Sequence, residues 1–271
     1  MEIIWHYACS GSDDLLAFLK DRKISYKCAE EIGMVFFDIS EHNSALPQLS
    51  QMHLKECILT NHVKFTRDEI RSAQWFACTP TGAKLNLCRE EVTFSLSERY
   101  GDNLAYHRVM SGAPFYVTGR YSRHPNQHFF TADEVPNHLF CTEYAKTLLQ
   151  ERGLPIAFCP VLHDRTEQPV GDLYDLRMEH VLPPEAVDLS NVEETFTYPA
   201  CGKQTFLPPL QLRVYRSFLE RAPDVCETAP VFGWGGNYAA PIVLFSKEIF
   251  SLLSENHMTR GLEFDPVEIM E

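Results

Sequence analysis

Leu139-Phe140-Cys141-Thr142-Glu143 leads through an apolar segment to Leu148 and then to Phe158-Cys159-Pro160-Val161. A near-copy follows further along: Leu244-Phe245-Ser246-Lys247-Glu248, a segment through Leu253, then Phe264-Asp265-Pro266-Val267. With a one-residue gap, seven positions carry the same residue, pairing Leu139 with Leu244, Phe140 with Phe245, Glu143 with Glu248 and Leu148 with Leu253, and then Phe158, Pro160 and Val161 with Phe264, Pro266 and Val267. Each copy reads as a strand, a capped helix and a second strand broken by proline. Two copies are too few for a solenoid, which needs three or more. The reading is a duplicated strand-helix-strand unit over 139–161 and 244–267.

The N-terminal region shows the same mixture. Residues 2–8 alternate around Ile4, His6 and Ala8, the period of a strand. Ser12 then precedes Asp13 and Asp14, with Leu15, Leu16, Phe18 and Leu19 behind them. That is a helix N-cap, two acids favoured by the helix dipole, and an apolar face. Ile24–Cys28 and Met34–Ile39 read as strands. Thr66-Arg67-Asp68-Glu69 is a capping box, with Ile70, Ala73 and Phe76 as the expected buried stripe of its helix. Val92, Phe94 and Leu96 alternate with polar residues, as in a half-buried strand. The fold class is α+β, with mixed sheets and packed helices, and the chain divides into an N-terminal portion, 1–100, and a C-terminal portion, 101–271, that holds the repeat.

The chain of 271 residues has 24 Lys and Arg against 37 Asp and Glu, a formal net charge of −13. Nucleic acid is excluded as the expected ligand, because phosphate contacts need a basic patch. No segment approaches the roughly 18 apolar residues of a membrane-spanning helix. Met1-Glu2-Ile3-Ile4-Trp5-His6 lacks the positive start of a signal peptide. Nine cysteines, odd in number and scattered singly, fit free thiols in a reducing compartment, and the expected location is cytoplasmic. The charge is concentrated: residues 164–194 carry nine acids and two bases, a net of −7. An acidic surface of this kind suits a basic protein partner, since complementary fields raise association rates. The candidate contact residues are Asp172, Asp175, Glu179, Glu193 and Glu194. Trp234 and Tyr238, in the glycine-rich stretch Phe232–Tyr238, are the candidate aromatic anchors.

Catalytic signatures are missing. No Gly-x-Ser-x-Gly elbow occurs, no cysteine lies in an activating signature, and the glycine-rich stretch lacks the Gly-Lys-Ser/Thr of a phosphate loop. No catalytic residue, metal or cofactor is therefore expected. Tyr198-Pro199-Ala200-Cys201-Gly202-Lys203 has the outline of a zinc knuckle with tyrosine in place of the first cysteine. Cys159, His163 and Cys226 are the residues on which a scattered metal site would draw. His124 and His128 are four apart, but Pro125 and Asn126 between them speak for a polar loop.

Leu182-Pro183-Pro184-Glu185-Ala186-Val187-Asp188, Tyr198–Lys203 and the closing Arg260-Gly261-Leu262-Glu263-Phe264-Asp265-Pro266-Val267 carry a family resemblance. Over residues 155–271 the chain resembles the bacterial double-CxxCG proteins and neighbouring immunity-type families of polymorphic toxin systems. Of the paired cysteines, Cys201-Gly202 is what this chain retains. The resemblance implies a non-enzymatic protein that neutralises a toxin by binding it. The alternative is an enzyme, with or without a metal ion, whose site is assembled from dispersed Cys, His and Asp residues.

Overall fold

The computed structural model describes residues 1–52, 54–82, 84–88, 94–100, 105–110, 113–118, 124–132, 135–197, 204–233 and 239–271. They form a mixed α+β fold in two compact units, Met1–Ser72 and Ala73–Glu271. No helix among them is long and apolar enough to cross a membrane.

The first unit runs β1 (Glu2–Ser10), α1 (Asp13–Asp21), β2 (Tyr26–Ala29), β3 (Met34–Ser40), α2 (Leu46–Leu49), β4 (Ile58–Lys64) and α3 (Arg67–Ser72). Its strands pair antiparallel in the order β2-β3-β1-β4. Strand alternation sends Tyr7, Cys9, Val35, Phe37 and Ile39 to one face, where Leu15 and Leu19 of α1 and Leu49 of α2 cover them. The Ser12 hydroxyl caps α1 by accepting from the Leu15 N–H at 3.2 Å. In the predicted capping box, the Thr66 N–H donates to Glu69 Oε2 at 2.7 Å and the Glu69 N–H to Thr66 Oγ1 at 3.2 Å. That helix stops at Ser72, so Phe76 is not part of its stripe. Trp75 to Cys78 are all buried, and such a continuous apolar run forms a strand with both faces covered.

The second unit opens with that strand, β5 (Trp75–Pro80), followed by β6 (Lys84–Leu85), β7 (Leu87–Cys88), β8 (Phe94–Tyr100), β9 (Ala105–Met110) and β10 (Tyr116–Val117). Next come β11 (Phe129–Ala132), β12 (Val135–Thr142), α4 (Glu143–Glu151) and β13 (Ile156–His163). A second series begins with β14 (Pro169–Met178), β15 (Val181–Leu182), β16 (Glu194–Thr197), β17 (Gln204–Phe206), β18 (Arg213–Tyr215) and α5 (Arg216–Leu219). It ends with β19 (Val225–Phe232), β20 (Ala240–Ser246), α6 (Lys247–Glu255), β21 (Leu262–Pro266) and β22 (Glu268–Met270).

The two series have the same topology and exchange their first strands. In the first sheet the order is β6-β11-β12-β14-β13-β10-β7, and β14 lies antiparallel between β12 and β13. In the second, β15 pairs with β19, β19 with β20, β20 with β5 and β5 with β21. Thus β14, which starts the second series, completes the first sheet, and β5, which starts the first series, completes the second. The registers agree residue for residue. Leu173, Tyr174 and Asp175 stand opposite Thr142, Cys141 and Phe140, as Trp75, Phe76 and Ala77 stand opposite Ser246, Phe245 and Leu244. Cys159 faces Asp175 as Asp265 faces Ala77. The flanking pairs match too: β10 with β13 as β18 with β22, and β7 with β10 as the Val187–Val214 bridge.

This register moves the sequence match of the first strand and helix by one residue. Thr142 and Ser246 are the two N-caps, accepting from the N–H of Ala145 and Ile249. Leu139 therefore corresponds to Val243 and Phe140 to Leu244, while Phe158, Pro160 and Val161 keep Phe264, Pro266 and Val267. A one-residue slip turns a side chain to the opposite face. Leu139 and Val243 share the core between the two sheets, with Leu149 of α4 and Leu253 of α6. Phe140 and Leu244 belong to separate outer cores.

The units divide at Ser72 and Ala73 rather than near residue 100, because β5 is central to a sheet built from the end of the chain.

Candidate functional site

Among the described residues each unit holds a polar cluster built around an aspartate and a histidine. In the first, β1 turns Ile4, His6 and Ala8 away from the helices. β3 brings Phe36 and Asp38 to the same face, and β4 adds Ile58, Thr60 and His62. The register sets His6 opposite both Asp38 and Thr60, with His62 opposite Ile4 and diagonal to His6. His6 Nδ1 contacts Asp38 Oδ1, and His6 Nε2 contacts His62 Nδ1. The two imidazoles have centroids 4.5 Å apart and planes within 19° of parallel. Beside them is a concavity of about 560 Å³, lined by His6, Tyr26, Lys27, Phe36, Ile58 and Thr60. Phe36 is 40% exposed and Ile58 64%, so this sheet face is apolar as well as ionisable.

In the second unit, Asp175 lies at the centre of the exchanged strand β14 and is fully buried. His138 Nε2 contacts its Oδ1, and Arg177 Nε donates to Oδ2 at 2.6 Å. Arg177 also donates to the Ala113 carbonyl at 2.7 Å. The rings of Phe115 and Phe140 lie 5.2 and 5.1 Å from that of His138. Burial without partners would make a carboxylate untenable, and the two basic side chains supply them.

Asp175 is thereby corrected from a surface contact to an internal one: both faces of β14 are covered there, with Leu173 in an outer core and Leu176 in the core between the two sheets. Asp172 is half-buried on the same strand, and Glu179 is exposed just beyond it. Glu193 and Glu194 are exposed, and Glu194 accepts from Thr197 Oγ1 and, at 2.7 Å, from Gln204 Nε2. Asp188 of the same acidic stretch accepts from Arg213 at 2.8 Å. Trp234, Tyr238 and the Tyr198–Lys203 segment lie outside the described residues.

Cys159, on β13, is half-buried beside Asp175, whereas Cys226 is buried on β19 in the other sheet. Burial pushes the Cys226 thiol up to about 12 and, in the first unit, the Cys9 thiol up to about 11. Neither is poised as a thiolate nucleophile. Among the described residues no three His, Cys, Asp or Glu side chains converge as direct metal ligands. His128 Nδ1 bonds Thr142 Oγ1 at 2.9 Å, while His124 is exposed in the preceding turn. Sequence reasoning missed the Asp38–His6–His62 cluster because its members belong to three strands. The alternation around His6 was its one visible trace.

No protein-family model matches this chain, and no curated protein matches its sequence.

Proposed function

We propose that this is a non-enzymatic, cytoplasmic protein-binding protein of the immunity type, which neutralises a basic partner such as a toxin through its acidic surface. The observation that carries this reading is where the charge sits. Residues 73–271 hold 16 basic and 26 acidic residues, a net of −10, against −3 for residues 1–72. Glu179, Glu193 and Glu194 stand in solvent, where an approaching cationic surface meets them before any desolvation is required. Exposed charges of this kind act on the association rate more than on the final affinity.

The test starts by recovering the companion protein with a tagged copy from the native host. Replacing Glu179, Glu193 and Glu194 together with Lys is then expected to slow association about tenfold or more at low salt. The difference is expected to shrink at high salt as the charges are screened. An association rate that does not change, or the absence of any stable companion, rejects the reading.

A further inference from the structure

We propose that the outer sheet face of the first unit binds one divalent, imidazole-preferring transition-metal ion between His6 Nε2 and His62 Nδ1, with Asp38 holding the His6 ring. The argument begins with the protons. An ionised carboxylate can only accept, so the contact between Asp38 and His6 Nδ1 places the imidazole hydrogen on Nδ1. The lone pair of His6 is then on Nε2, the nitrogen that faces His62 Nδ1. The rings are within 19° of parallel, with centroids 4.5 Å apart and nitrogens in contact, so they meet edge to edge. Two lone pairs facing each other repel, so either a hydrogen carried by His62 Nδ1 or a metal ion lies between the two nitrogens.

A carboxylate on the far nitrogen of a ligating histidine is the arrangement that fixes tautomer and ring orientation in metal sites. Here the backbone already supplies the placement, because His6 and Asp38 are directly paired across β1 and β3 and His62 is one diagonal step away on β4. Imidazole nitrogens bind zinc at about 2.0–2.1 Å. Accepting the ion therefore asks for a small outward rotation of His62, an exposed side chain on an edge strand. Two nitrogens and no thiolate favour Ni²⁺ and Cu²⁺ over Mg²⁺ or Ca²⁺. Water fills the remaining positions, on the side of the 560 Å³ concavity.

Titration calorimetry of the full chain with NiCl₂ tests the site. The exposed thiols of Cys28 and Cys57 are replaced by serine throughout, so that they cannot supply the ligands. The expected result is one equivalent bound, lost in His6→Ala and in the milder His62→Gln. Asp38→Asn is expected to keep the stoichiometry while weakening affinity about tenfold to a hundredfold. Paramagnetic broadening of the His6 and His62 ring protons by Ni²⁺ should appear before that of any other histidine. Thermal unfolding of each variant without metal separates loss of ligand from loss of fold. Binding that survives both histidine replacements, or no binding below millimolar Ni²⁺, overturns the proposal.

Discussion

The two halves of the second unit share a backbone plan and differ in what they bury. At corresponding places the first sheet holds Asp175, His138 and Arg177, whereas the second holds Ala77, Ile242 and Thr79. The reverse holds one strand over, where Cys159 in the first sheet is matched by Asp265 in the second. Hydrogen-bond register is a property of the main chain and tolerates either set. Side chains at an exchanged strand must instead suit the sheet that receives them, not the series in which they are encoded. Of the polar triad, Asp175 and Arg177 are carried by β14 itself and His138 by the receiving sheet, so β5 in that place would leave His138 without its carboxylate partner.

The largest effect should come from separating the halves. Fragments 73–165 and 166–271, produced apart, each lack the strand that fills the middle of their sheet. Each is expected to be largely unfolded by far-UV circular dichroism and to regain strand signal when the two are mixed. A fragment that folds alone would show that exchange is dispensable.

Next in size is transplantation of the buried acid. Ala77→Asp sets a carboxylate among Trp75 and Leu244, opposite Asp265 and with Ile242 and Thr79 in place of basic partners. Denaturant unfolding should show a loss of about 3–5 kcal/mol, the range for an uncompensated buried charge. Asp175→Asn should cost less, about 2–3 kcal/mol, because Arg177 is partly solvated. Converting Asp175, His138 and Arg177 together to the residues of the other half should restore most of that, since no group is then left unpaired. A triple variant weaker than the single one would argue against the equivalence of the two sites.

The smallest of these effects has a pH signature. Desolvation, with Glu263 nearby, raises the Asp265 carboxyl to about 6. The folded state therefore holds the proton more tightly than the unfolded chain, in which aspartate titrates near 4. The stabilisation from that proton is complete below about pH 4 and lost as pH rises through about 6. Asp265→Asn should raise stability by about 2 kcal/mol at pH 8, discounted for partial exposure, and flatten the pH dependence between about 4 and 6. Thermal midpoints across that interval check it, and an unchanged slope would remove Asp265 as its source.

Much of this was legible in local sequence. The Ser12 cap, the Thr66–Glu69 box, the early strands and the strand-helix-strand copies all depend on residues within a few positions of one another. Phe76 reads locally as the end of a helix stripe but belongs to a strand, because the partners of β5 lie in β20 and β21, more than 160 residues away. Letter matching puts the first strand and helix of the repeat one residue away from the register that the sheets adopt. Matching letters weigh Leu and Phe equally on either face, and only pleating separates the faces. For the same reason Asp175 is indistinguishable by letter from the acids around it, although it is buried.

Local sequence suffices for the α+β class, the helix starts, the duplicated unit and the concentration of negative charge. These follow from short-range periodicity, capping chemistry and composition. The tertiary structure alone decided which strand completes which sheet, which acid lies inside, and that His6, Asp38 and His62 meet. Those outcomes depend on main-chain hydrogen bonds between distant residues, and every non-proline residue offers the same donor and acceptor. Pairing partners are selected by how all the side chains pack at once, which no short stretch of sequence records.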